Sequence, residues 1–229
     1  NQNLRRSAAA RRGEAKRAPR TTIIPITYEE TLLQSHAVMT SPLVKATDSE
    51  RALAAAGFLL AFDRYGRAKD ICLSRALELR APIACQTGAG AVWTLTLHPA
   101  TASKPSKTGQ MDCTAPIGST HPRRQWLTTF CQPLRDAPRR TGFLLDMTAA
   151  RYTVLFHQSR RAAGLTPSTA HRFRHGGASM DGMHGVPDLT MTERGHWRST
   201  LSVQVYRQPA RYLRVLDSLT PQRLADAAA

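Results

Sequence analysis

The segment 171–206 gathers the side chains with the most chemistry per unit length: His171, Arg174, His175, His196, Trp197 and Tyr206. Arg174 brings a planar guanidinium that stays charged and grips two oxygens at once. His171 and His196 belong to the residue type that gives and takes protons near neutrality. Tyr206 carries a hydroxyl that becomes a nucleophile where neighbouring cations lower its effective pKa. Fixed cations, proton carriers and one nucleophile are the parts that chemistry at a phosphate requires. Taken singly, each has a plainer use. An isolated histidine is more often structural, Trp197 reads as a core residue, and Tyr152, Tyr206 and Tyr212 are all acceptable packing tyrosines. Order and spacing are what set this group apart.

The order is His171-x-x-Arg174-His175, then Gly195-His196, then Tyr206 ten residues on. In this the segment resembles the active-site half of the tyrosine recombinases, the phage-integrase family. The resemblance implies two more cations earlier in the chain. The first is an Arg at a helix start with an acid three residues on. Arg67 with Asp70 in Tyr65-Gly66-Arg67-Ala68-Lys69-Asp70 fits, but the Gly adjoins the Arg instead of standing two residues before it, which keeps Arg64 as a rival. The second is a hairpin Lys in a Lys-Thr-Gly context, met by Lys107-Thr108-Gly109 with Lys104 as the alternative. The implied roles are Arg67 and Arg174 clamping the phosphate, His196 donating to it, Lys107 protonating the leaving 5′ oxygen, and His171 relaying the proton of the attacking Tyr206. His175, Trp197 and Asp70 are supporting residues, and Tyr212 is the reserve nucleophile.

The elements that must position these residues are legible in outline. Thr27 with Glu30 and Thr47 with Glu50 are capping boxes, predicting helices from Thr27 to about residue 38 or 39 and over 47–64. The second is apolar on nearly every side and so is expected to be buried. A third helix is expected over 69–79. Strands are expected over 80–85, 92–98 and 113–117, with the Lys107 turn between the last two. Further helices are expected over 122–138, 148–163 ending at Gly164, across His171 and Arg174, over 189–194, and over 199–219 with a break at Pro209. The fold class is therefore mainly α with a small antiparallel β-sheet (α+β). The resemblance covers about residues 27–215, the family's catalytic domain, and the family's N-terminal core-binding domain is expected to be missing from this chain.

Composition agrees with a polyanion partner. The 229 residues carry 32 Lys and Arg against 16 Asp and Glu, a formal charge of +16. Such an excess favours nucleic acid over an anionic membrane surface. Residues 1–20 hold seven cations against Glu14 and almost no large apolar side chain, which predicts a disordered basic tail. The longest apolar run is too short to span a bilayer. Cys72, Cys85, Cys113 and Cys131 form no CxxC pair, so a zinc site is not expected.

The resemblance then implies cleavage and rejoining of double-stranded DNA through a 3′-phosphotyrosine, without cofactor or metal, in DNA integration, excision or mobility. It also implies four protomers assembled on DNA, with the amphipathic stretch carrying Leu213, Leu216, Leu219 and Leu224 docking on a neighbour, and a location with DNA in a nucleus or nucleoid. Two alternatives share the features: relaxation of DNA by a type IB topoisomerase-like enzyme, and an inert recombinase-derived DNA-binding protein.

Overall fold

Both Thr-x-x-Glu boxes start helices. In the computed structural model, which describes residues 23–82, 92–99, 109, 111–118 and 122–228, Thr27 caps α1 (Tyr28–Thr40). Its hydroxyl accepts from the Glu30 amide at 3.1 Å, and the Glu30 carboxylate accepts from the Thr27 amide at 3.0 Å. Thr47 and Glu50 repeat the exchange at α2 (Asp48–Asp63). Each box satisfies two amides that a helix start leaves without partners. Helix α2 is the centre of the core: Ala54, Phe58, Leu60 and Phe62 are fully buried. Both α1 and α5 (Ala149–Ala162) pack on it, and the Phe58 ring meets Tyr152 and Phe156 edge-on at 5.2 and 6.0 Å.

The single helix expected over 69–79 is instead three pieces: α3 (Ala68–Cys72), a 3-10 turn (Ala76–Glu78) and β1 (Leu79–Arg80). A neighbouring loop takes the backbone groups that a continuous helix would use. The Leu144 amide donates to the Ser74 carbonyl at 2.6 Å, and the Ala76 amide donates to the Gly142 carbonyl at 3.1 Å. The expected helix over 122–138 likewise resolves into a 3-10 segment (Pro122–Phe130) and a short α4 (Cys131–Asp136).

Strands β2 (Thr94–Leu97) and β3 (Cys113–Pro116) complete an antiparallel sheet of order β1-β2-β3, with Leu79 opposite Leu95 and Leu95 opposite Ala115. Of the strand expected over 80–85, Arg80 pairs in β1, while residues 83–85 lie outside the described residues. So do the basic tail, Cys85, Lys104 and Lys107.

The C-terminal half runs through α6 (Arg172–Met183), α7 (Asp188–Gly195), α8 (Thr200–Tyr206), α9 (Pro209–Asp217) and α10 (Pro221–Ala228). Helix α6 lies so close to the core that only glycine fits at Gly176 and Gly177, where a Cβ would stand 1.9 Å from the Ile26 carbonyl oxygen and 2.2 Å from that of Phe62. The C-terminal stretch folds back on its own chain. The Tyr28 amide donates to the Tyr212 hydroxyl at 2.8 Å, Leu219 is buried, and Arg223 donates to the carbonyls of Ala163 and Gly164 at 3.2 and 3.1 Å. This narrows the expectation that the segment docks on a neighbour, since Leu219 is already used internally and Leu213 and Leu224 are the leucines left exposed. No helix among the described residues is long and apolar enough to cross a membrane. The architecture is mainly helical with a small three-stranded antiparallel sheet.

Candidate active site

His171 stands at the N-cap of α6, with Arg174 and His175 one turn on. Positions i, i+3 and i+4 share a helix face, so the spacing alone puts all three on one side. Gly176 and Gly177 press the helix against the core. Arg174 is 1% exposed. Its Nη1 donates to the Tyr65 carbonyl at 2.6 Å and its Nη2 to the Gly195 carbonyl at 2.5 Å. The guanidinium therefore ties the end of α2 to the end of α7.

Tyr206, the last residue of α8, lies against this group. The Arg174 guanidinium carbon is 4.9 Å from the Tyr206 ring centre and 4.5 Å from that of Trp197. The Tyr206 ring stacks on Trp197 at 4.8 Å and 25°, and lies 4.7 Å from His175 and 6.0 Å from His171. Burial pulls the Arg174 pKa down to about 10, helped by the charge of Arg67, while the Tyr206 phenol supports the guanidinium.

His196 terminates α7 with left-handed backbone, φ 52°, an uncommon setting for a side chain other than glycine. It is 6% exposed. Burial lowers its pKa to about 3, and the positive charges of Arg64 and Arg174 add to the effect. His175 is lowered to about 4, again by burial first, then by His171 and Arg174. Both imidazoles are thus neutral at pH 7.

Arg67 opens α3 and pairs with Asp70 at 3.4 Å, and Asp70 also accepts from the Arg67 amide at 3.3 Å. His98, at the end of β2, reaches the same carboxylate at 3.4 Å. Burial pushes the Asp70 carboxyl up, but the nearby His98 imidazole and the Arg67 charge outweigh it and hold the group below its usual value. Arg64, the rival to Arg67, is fully buried and donates from Nη2 to the Leu95 and Cys113 carbonyls at 3.3 and 3.2 Å, joining α2 to the sheet. Its Nε and Nη1 have no hydrogen-bond partner among the described residues. Tyr152 and Tyr212 are packing residues, the first donating to the Gly57 carbonyl at 3.1 Å and the second accepting from the Tyr28 amide.

His171, Arg174, His175, His196, Trp197 and Tyr206 are therefore brought together, with Arg67 and Asp70 close enough to act on Arg174. Lys107 lies outside the described residues. Gly109, two positions on, has left-handed backbone and faces Arg198, since a Cβ there would sit 3.5 Å from Nη2. A cavity of about 430 Å³ lies elsewhere, between the segment before α1, the loop after α5, and α9, and none of these site residues lines it.

No family model matches the chain, and no curated protein matches it. Solved structures do. The fold is similar to that of lambda integrase. A lambda integrase dimer bound to a COC′ core site superposes with TM-score 0.61 at 16% identity, over 86% of this chain and 52% of that one. A lambda integrase tetramer bound to a Holliday junction gives 0.57 at 16%, over 83% and 50%. The chain thus spans about half the length of these neighbours.

Reading the sequence alone missed a buried ionic network beneath the site. Asp63 pairs with Arg124 at 3.3 Å and Arg194 at 2.6 Å, and Arg124 also pairs with Asp181, which accepts from the Tyr65 hydroxyl. Asp63, Arg124 and Asp181 are 0% exposed. No local motif marks them, because each partner comes from a different part of the chain. His98 carried a weak signal as the titratable end of an alternating strand.

Proposed function

We propose that the chain is a DNA-binding protein of recombinase type that breaks and rejoins strands of double-stranded DNA through a covalent 3′-phosphotyrosine at Tyr206. The observation that carries this reading is the Arg174 guanidinium lying 4.9 Å from the Tyr206 ring, with His171, His175 and His196 around them. The likeness in fold to integrases captured on DNA and the net charge of +16 support it.

In the proposed reaction the Tyr206 oxygen attacks the scissile phosphorus and gives up its proton to His171. Charge building on the non-bridging oxygens is offset by Arg174, Arg67 and a donor on His196. The bond to the 5′ oxygen breaks, and Lys107 protonates that oxygen. The reverse sequence, with a 5′ hydroxyl attacking the phosphotyrosine, rejoins the strand and needs no external energy source. Assembly of several protomers on DNA belongs to the same proposal, with Leu213 and Leu224 as contact candidates.

The test is a nicked duplex whose cleaved fragment diffuses away and traps the adduct. Wild type and Tyr212→Phe should accumulate a protein–DNA band, and Tyr206→Phe should not. A band that persists in Tyr206→Phe would remove Tyr206 from the mechanism. Binding of duplex without an adduct on any substrate would leave only a DNA-binding protein. Relaxation of supercoiled plasmid without site preference would favour a topoisomerase.

A further inference from the structure

Tyr206 does not stack on Trp197 alone. Trp197 stacks in turn with Tyr65, with ring centres 5.5 Å apart and planes 22° apart. Tyr65, Trp197 and Tyr206 thus form a column of three near-parallel rings, and Arg174 faces both Trp197 and Tyr206.

The base of the column is fixed. Tyr65 is 0% exposed, and its hydroxyl donates to Asp181, which is held in turn by Arg124 and, through it, Asp63. Its backbone is left-handed at φ 48°, a conformation that costs a bulky residue free energy and persists only where the surroundings hold it. Two glycines keep the rings in place: a Cβ on Gly177 would stand 2.6 Å from the Tyr65 ring, and one on Gly195 would stand 2.6 Å from the Trp197 ring. The Tyr65 carbonyl accepts from Arg174, and Arg67 follows two residues on. One residue therefore braces Arg174, Trp197 and the segment leading into Arg67.

We propose that Tyr65 is a positioning residue that acts through Trp197 to hold the Tyr206 ring in register with Arg174. The proposal rests on the reading of Tyr206 as the nucleophile only for its kinetic consequence; the column itself does not depend on it. Tyr65 touches no reacting atom. Its hydroxyl fixes the foot of the column and its ring sets the plane against which Trp197 and then Tyr206 lie. The phenol on a short helix end would otherwise sample several rotamers, and misplacing a reacting group by about 1 Å can cost about 100-fold in rate.

The experiment compares Tyr65→Phe, which keeps the ring and loses the anchor, with Tyr65→Leu, which loses the ring, in the full chain. Two readouts are taken. The first is the ¹⁹F spectrum of protein labelled with fluorotyrosine, in which Tyr206→Phe identifies the Tyr206 signal. In wild type that signal should be shifted by the Trp197 ring. Tyr65→Phe should retain most of the shift, and Tyr65→Leu should move it toward the free-tyrosine position. The second is single-turnover adduct formation alongside duplex affinity. Tyr65→Leu should slow the adduct step about 10- to 100-fold with duplex affinity nearly unchanged, and Tyr65→Phe should fall between it and wild type. An unmoved Tyr206 signal in Tyr65→Leu overturns the proposal. So does a loss of affinity matching the loss of rate, which would make Tyr65 a general structural residue. If Tyr65→Leu does not fold, the adduct rates of Tyr65→Phe and of an Asp181→Asn variant decide: wild-type rates in both overturn the anchor. Absence of an adduct in wild type counts against the nucleophile, and the spectrum then judges the column alone.

Discussion

Replacing Arg174 by methionine should separate stability from activity. The guanidinium is 1% exposed and has no ion-pair partner among the described residues, and its pKa falls from 12.5 to about 10. A cation whose folded pKa lies below its unfolded value costs stability at every pH below the folded pKa. The cost is therefore fully present at pH 7 and relieved only as pH rises through about 10. At about 1.4 kcal/mol per unit, the folded protein bears roughly 3 kcal/mol against this charge. Methionine removes that cost. It also strands the Tyr65 and Gly195 carbonyls, at about 1–3 kcal/mol each. The opposing effects overlap, so the expected change runs from a slight gain to a loss of about 3 kcal/mol, in line with other buried charges exchanged for apolar residues. Adduct formation should nevertheless fall by about 100- to 1,000-fold. Urea denaturation measures the first quantity and the nicked-duplex assay the second. A short duplex should raise the melting temperature of wild type more than that of the variant, because the anion relieves the penalty on the arginine. A destabilisation beyond about 5 kcal/mol, the range of a broken buried ion pair, would refute this reasoning and make Arg174 a structural residue. Retained cleavage would refute it from the other side.

Protonation of the buried imidazoles should destabilise the fold in acid. His175 and His196 drop from 6.5 to about 4 and about 3 in the folded protein. Their contribution is therefore present above pH 6.5 and lost as pH falls, with a slope approaching about 2.7 kcal/mol per pH unit for two groups; urea midpoints at pH 7, 6 and 5 check it, and a flat profile would show that the rings are not held neutral. Gly176→Ala forces a Cβ to within 1.9 Å of the Ile26 carbonyl oxygen and should cost about 3 kcal/mol. Gly142→Ala meets nothing within 4 Å and should change stability by less than about 0.5 kcal/mol. Tyr212→Phe leaves the Tyr28 amide without its acceptor and should lower stability by about 1–3 kcal/mol while leaving the adduct intact.

What the sequence disclosed and what it hid follow from the range of the interactions involved. Capping boxes are local, and α1 and α2 begin within a residue of where Thr27 and Thr47 put them. The face shared by His171, Arg174 and His175 is likewise a matter of helical spacing. The break in the helix expected over 69–79 was invisible, because the groups that cause it belong to Gly142 and Leu144, far along the chain. Tyr65 gave no sign of its position for the same reason: its ring partner comes from after α7 and its hydroxyl partner from α6. The motif favours Arg67, with Asp70 three residues on, but leaves Arg64 as a rival. Only the fold shows that Arg64 is turned into the sheet while Arg67 stays near Asp70 and influences Arg174.

The balance of buried charge bears most directly on what the site is for. Beneath the site, Asp63 and Asp181 answer Arg124 and Arg194. Arg64 stands beside them at 0% exposure with no ion pair among the described residues, and burial together with Arg194 outweighs the nearby Asp63 carboxylate and lowers its pKa to about 9. Arg174 is in the same condition one layer up, and Asp70 is shared between Arg67 and His98. A fold seeking stability alone would replace such guanidiniums with apolar groups of similar volume, since burying a charge without a counter-charge is costly. For Arg174, whose guanidinium carbon lies 4.9 Å from the Tyr206 ring centre, the cost is explained if the missing anion arrives with the substrate. On the proposed reading that anion is the scissile phosphate, whose charge grows as the fifth bond to phosphorus forms. The cations are then best satisfied in the transition state, and the stability given up by the free protein becomes the differential binding that lowers the barrier.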